Sequence, residues 1–74
     1  MTADRLEPGE PATILRIDGE PSLVRRLMEL GLVPGTVLTL VRRAPMGDPI
    51  EVAARGIHLS LRLSEASRIH VASH

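Results

Sequence analysis

The sequence predicts a small, mainly β domain in which five short strands close into a barrel, with one short helix between the first two strands. Apolar and polar residues alternate at period two over several separate stretches, the mark of strands buried on one face. Only one stretch, Leu23, Leu27 and Leu30, repeats at helical spacing. Glycines and prolines fall between these stretches and confine each to a few residues. At 74 residues the chain has room for one core, so any function is expected on the surface of that core.

The first strand is expected at Ala12–Asp18, after a polar lead over residues 1–6 that is expected to be loosely ordered. Its apolar phase slips from Ile14 to Leu15 and Ile17, which predicts a bulge. Pro21 suits the first position of a helix and Gly31 suits the left-handed residue that ends one, so the helix is placed at Pro21–Leu30. Pro34-Gly35 reads as a type II turn leading into a strand at Thr36–Arg43, with Leu38 and Leu40 on the core face. Residues Ile50–Arg55 repeat the alternation. The segment Ala44-Pro45-Met46-Gly47-Asp48-Pro49 joins the two strands as a long hairpin loop, because its prolines and glycine forbid a ladder. Gly56 marks the next reversal, and Ile57, Leu59, Leu61 and Leu63 are read as the core face of a fourth strand. A single turn at Ser64–Ala66 then precedes a last strand at Arg68–Ala72, with Ile69 and Val71 inward. The expected core is Leu27, Leu30, Leu38, Leu40, Val52, Leu59, Leu61, Ile69 and Val71, and the order of elements is that of an SH3-like barrel.

Composition excludes several functions. The chain has no cysteine, which removes disulfides, thiolate metal sites and cysteine nucleophiles. It has no aromatic residue, so it lacks stacking platforms for bases, grooves for proline-rich peptides and cages for quaternary ammonium. Nine basic residues, all arginine, are offset by nine acids, leaving no net field to hold nucleic acid. Met1–Pro11 carries acids and prolines where an export signal needs a basic segment and an apolar run, and no apolar stretch approaches the roughly 18 residues of a membrane span. A cytoplasmic, soluble protein without membrane insertion is therefore expected. No serine, histidine and acid are arranged as a nucleophile with its base and orienting group, so no enzyme activity is expected.

Residues 26–36, Arg-Leu-Met-Glu-Leu-Gly-Leu-Val-Pro-Gly-Thr, followed by Arg43-Ala44-Pro45-Met46-Gly47-Asp48-Pro49-Ile50, resemble the FeoA family: a helix ending in Leu-Gly-Leu, then Pro-Gly-Thr, then Ala-Pro-x-Gly-Asp-Pro. The strand Leu59-Ser60-Leu61-Arg62 and the downstream Glu65-Ala66 with Ile69 and Val71 extend the resemblance over residues 7–73. Gly31, Pro34, Gly35, Pro45, Gly47, Asp48 and Pro49 are read as scaffold residues that set turns rather than as a site. The resemblance implies a small cytoplasmic accessory of ferrous iron uptake, without chemistry of its own. It implies FeoB, the Fe(II) permease that carries a G domain, as partner, which would bring the domain to the inner membrane surface. By the same resemblance, related domains are fused behind the helix-turn-helix of iron-dependent repressors; this chain has no room for such a module, so a stand-alone accessory without a nucleic-acid partner is expected rather than a regulator.

A second reading is an Fe(II)-sensing domain, since His58, His70 and His74 are the ligand type that transition metals favour. Alternation places His58 and His70 outward on different strands and His74 at the end of the sequence. No tightly bound metal is expected, and divalent metal only as a weak, adventitious guest. The pairs Arg25-Arg26 and Arg42-Arg43 are read as solvated rims. Leu23, Val24, Leu27, Met28 and Leu30 span an apolar arc of about 160° at 100° per residue, broader than a seam on a small barrel requires. A protein-docking face is therefore placed at Val24, Arg25, Leu27 and Met28, with Met28 adapting to a partner and Arg25 pairing with its acid. Self-association is expected to be weak at most.

Overall fold

The computed structural model describes residues 1–74. Its elements are β1 (Pro11–Ile17), α1 (Pro21–Glu29), β2 (Val37–Arg43), β3 (Ile50–Ala54), β4 (Ile57–Leu61), α2 (Leu63–Ala66) and β5 (Ile69–Ser73), preceded by a 3-10 turn at Ala3–Arg5. The five strands form one antiparallel sheet in the order β4-β3-β2-β1-β5. The sheet curls around its side chains, but β4 and β5 do not pair with each other, so the barrel does not close through hydrogen bonds.

Each turn uses the chemistry its sequence offers. Gly31, at φ +98°, ends α1 in a Schellman motif: its N–H donates to the Met28 carbonyl at 2.9 Å, and the Leu32 N–H donates to the Leu27 carbonyl at 3.1 Å. The apolar contact that accompanies this motif falls on Leu27 and Leu32, both fully buried. Pro34 and Gly35 occupy the centre of a type II turn closed by the Thr36 N–H on the Val33 carbonyl at 3.0 Å. Arg55 and Gly56 both have positive φ, +54° and +82°, which makes the β3–β4 connection a two-residue type I′ hairpin.

The bulge expected in β1 lies between Ile14 and Arg16, where pairing with β5 slips and Leu15 turns outward. A second bulge, between Leu40 and Arg42, bends β2 and turns Val41 outward. Alternation otherwise holds: Leu38 and Leu40 from β2, Ile50, Val52 and Ala54 from β3, and Ile69 and Val71 from β5 all lie in the core.

Three expectations are corrected. Residues 1–6 are not a loose lead: Ala3 and Leu6 are fully buried and Thr2 bridges to His70. The guanidinium of Arg43 fixes this segment by donating to the Asp4 and Leu6 carbonyls, at 2.7 and 2.8 Å. Two buried apolar side chains and a charged donor on two carbonyls offset the entropy lost in ordering these residues. Leu30 is 41% exposed rather than core, because it is the cap of α1 and lies past the last turn that faces the sheet. Finally β4 ends at Leu61, Leu63 begins α2, and of the expected core face only Leu61 is buried. Leu59 is half-buried and Ile57 exposed, since no further strand covers them.

Candidate functional site

Helix α1 packs across the sheet through one residue, Leu27, with Leu23 and Val24 partly buried beside it. Leu27 is 1% exposed and therefore belongs to the core, so it is removed from the docking face. Val24 and Met28 lie on the flank away from β4, and Met28 is 36% exposed. Together with Gly19, Pro21, Arg25 and Glu29 they line an open, largely apolar depression. Arg25 is exposed and has no carboxylate within ion-pair distance, whereas its neighbour Arg26 is bound to Glu65 of α2. The face thus presents an adaptable thioether, a β-branched side chain and an uncommitted cation.

The scaffold residues sit in turns. Gly31 and Gly35 occupy the two positions described above, and Gly47, at φ +87°, donates its N–H to the Ala44 carbonyl at 2.7 Å. Pro45 lies within that turn, and Pro49, joined to Asp48 by a cis peptide, accepts from the Ala44 N–H at 3.0 Å. The Asp48 carboxylate accepts from the Leu63 N–H at 3.0 Å, tying the β2–β3 loop to the start of α2. Two orphan amides at that short helix are thereby satisfied, because the Glu65 carboxylate also accepts from the Arg62 N–H at 2.9 Å.

The histidines are spread over the molecule. His58 Nδ1 lies 2.8 Å from Glu51, His70 Nε2 lies 2.6 Å from Asp18, and His74 Nε2 lies 2.6 Å from the Thr13 hydroxyl. Glu51 also accepts from Arg42 at 2.9 Å. These hydrogen bonds, from His58 first and then Arg42, hold the Glu51 carboxyl below the usual carboxylate range. No three His, Asp or Glu side chains converge, so each imidazole offers a metal one carboxylate partner at most. Of the two arginine pairs, Arg43 is a structural clasp and Arg42 is engaged by Glu51. Sequence reasoning missed the role of Arg43, since nothing in a local window connects it to the carbonyls of Asp4 and Leu6.

The FeoA domain family model matches residues 1–73. The chain belongs to this family. The FeoA domain is linked to ferrous iron transport through the names of its relatives. The chain is 34% identical over 71 residues to the Fe(2+) transport protein A/Fe(2+) transporter FeoB fusion protein of Porphyromonas gingivalis, a match that covers 96% of this chain. The chain spans only 8% of that relative's length. Among solved structures, the FeoA protein of Chlorobium tepidum is 44% identical, with a TM-score of 0.93 over 99% of this chain and 70% of that one. The FeoA of Stenotrophomonas maltophilia, a prokaryotic SH3 domain protein crystallised with zinc, is 32% identical, with a TM-score of 0.85 over 97% of this chain and 89% of that one. The mainly β, SH3-like fold expected from the sequence is thus the fold of the family, and its match begins at residue 1 rather than 7. No helix of this chain is long and apolar enough to cross a membrane.

Proposed function

We propose that this FeoA domain is a non-catalytic accessory of ferrous iron uptake that docks on the cytosolic region of a FeoB-type permease through Val24, Arg25 and Met28. The observation that carries this reading is the exposed flank of α1, where Met28 and Val24 stay accessible beside a core-anchored Leu27 and Arg25 forms no ion pair. Fusion of the two proteins in the P. gingivalis relative supports FeoB as the partner, because a tether raises the effective concentration of a contact that is weak by itself. The partner surface is expected to offer a carboxylate for Arg25 next to an apolar pocket for Met28. Pulldown or calorimetry with the permease's cytosolic region tests this. Met28→Glu and Arg25→Glu should each weaken binding at least tenfold while leaving the melting temperature within a few degrees; wild-type binding by both folded variants would sink the assignment.

Zinc in the S. maltophilia relative favours a metal-binding reading, and Fe(II) is the cargo of the transport system. In this chain the donor sets are two-membered, His58 with Glu51 and His70 with Asp18, and lack the third ligand a stable site requires. We infer that Fe(II) is not held tightly by the isolated domain. Anaerobic calorimetry should show no stoichiometric micromolar site; one that vanished in the His58→Ala, His70→Ala variant would promote the sensing role instead.

A further inference from the structure

We propose that the outer edge of β4 is a strand-addition site, and that its occupant is an extended segment of another protein with alternating apolar residues and an acid at each end. This surface lies on the opposite flank of α1 from Met28 and does not depend on the permease assignment.

In the type I′ hairpin the residues flanking the turn exchange hydrogen bonds, so the bonded pairs of the β3–β4 ladder are Ala54–Ile57, Val52–Leu59 and Ile50–Leu61. His58 and Ser60 therefore direct their backbone N–H and C=O away from β3, and neither takes part in any backbone bond outside the ladder. The strand keeps an unbroken register and contains no proline, lysine or bulge, the usual devices that blunt an edge. Beside this edge runs a groove to α1, with Leu27, Leu30 and Leu61 along it and Arg26, Arg62 and Glu65 at its rim. Ile57 and Leu59 are left 47% exposed and half-buried on the same face of β4 as Leu61. One added strand would satisfy the free amides and carbonyls while covering these apolar side chains.

Charge decides the occupant. The two acids along the groove are committed, Asp48 to the Leu63 N–H and Glu65 to Arg26 and the Arg62 N–H, and Glu51 on the outer face of the sheet is taken by Arg42 and His58. Arg55, immediately before the edge strand's Gly56, and Arg62, immediately after Leu61, have no ion-pair partner, and a Cβ added at Gly31 would meet Cδ of Arg55 at 3.8 Å, which sets that stem beside the end of α1. Both ends of β4 thus carry an uncommitted guanidinium. A second copy of the chain fits poorly. Pairing β4 with itself about Leu59 sets Ile57 opposite Leu61 and His58 opposite Ser60, which brings Arg62 of each copy beside Arg55 of the other and opposes like charges at both ends. An acidic, extended partner removes that repulsion and pairs both guanidiniums.

The probe is the capped peptide Asp-Val-Thr-Val-Thr-Val-Asp, titrated into the full chain and followed by amide NMR and hydrogen exchange. The amides of His58 and Ser60 should exchange at least tenfold more slowly with peptide. N-methylation at alternate peptide positions should abolish the effect, and Lys in place of both Asp should weaken binding at least tenfold. An Arg55→Glu, Arg62→Glu chain should reverse the preference toward the lysine peptide, a gain that misfolding cannot mimic. Unchanged exchange at His58 and Ser60 with millimolar peptide, or equal binding of acidic and basic peptides, would overturn the proposal. So would slowing of the same two amides by protein concentration alone, which would assign the edge to a second copy.

Discussion

Along the outer edge of β5, Met1 exchanges hydrogen bonds with Val71, Thr2 bridges to His70, and Ala3 and Leu6 bury their side chains behind the strand; along β4, no backbone segment does the same. One sheet therefore has a sealed edge and an open one. An edge is a template for pairing, so a small domain that leaves one uncovered must either blunt it or use it. The sealing of β5 depends on residues distant in sequence, buried Leu6 and Arg43, which holds the Asp4 and Leu6 carbonyls, and its energetics should be those of a core. The open edge depends on side chains that are half in water, and its energetics should be those of a surface.

The largest effect is expected at the sealed edge. Leu6→Ala removes a fully buried side chain next to the 3-10 turn and should cost about 2–5 kcal/mol, a drop in Tm of roughly 4–8 °C per kcal/mol for a domain of this size. Denaturant unfolding measures it. A loss below about 0.5 kcal/mol would mean that residues 1–6 are dispensable and the edges alike. Arg43→Met follows: it keeps the stem but leaves the Asp4 and Leu6 carbonyls without their charged donor, at a cost of about 1–3 kcal/mol. Its hydrogen-exchange signature should be specific, with faster exchange of the Val71 amide, which donates to Met1, at an unchanged rate for the Val52 amide.

Local chemistry made much of this fold legible. Gly31, Pro34-Gly35 and Gly56 marked the helix end and two turns because each supplies a backbone geometry that other residues resist, and the slip at Leu15 announced its bulge. The errors share a cause. Leu30, Ile57 and Leu59 match a buried period, yet whether an apolar face is covered depends on what the topology lays over it, and no strand pairs beyond β4. The lead failed in the opposite sense, since its polar composition conceals Ala3 and Leu6, whose burial is set by β5 and Arg43. For the docking face, the width of the α1 arc separated core from exposed flank at Met28 but assigned Leu27 to both.

The contrast between Leu27 and Leu30 tests this point inside one helix. Leu27→Ala should cost about 2–5 kcal/mol, and Leu30→Ala, at an exposed position, no more than about 0.5 kcal/mol. Equal losses by thermal unfolding would show that Leu30 is covered and the groove beside β4 closed.

The smallest effect is expected at Glu51, which holds the open edge to the rest of the sheet by joining Arg42 of β2 to His58 of β4 across the outer face. Because these partners favour the carboxylate, the Glu51 pKa is lower in the folded chain than in the unfolded one, where it takes the ordinary value of 4.5. The unfolded chain therefore binds more protons at this residue as acid is added. The contribution is complete above pH 4.5 and disappears as the pH falls through the lowered folded value. Glu51→Gln should remove part of the fall in stability below pH 4.5 and leave its slope above that pH nearly unchanged. The pair is exposed, so salt should diminish the difference between the two chains. Urea unfolding from pH 3 to 7 at two ionic strengths reads both features. A variant whose pH profile matches the wild type would show that the Arg42–Glu51–His58 link does not stabilise the fold, leaving the ladder to β3 as the attachment of the open edge.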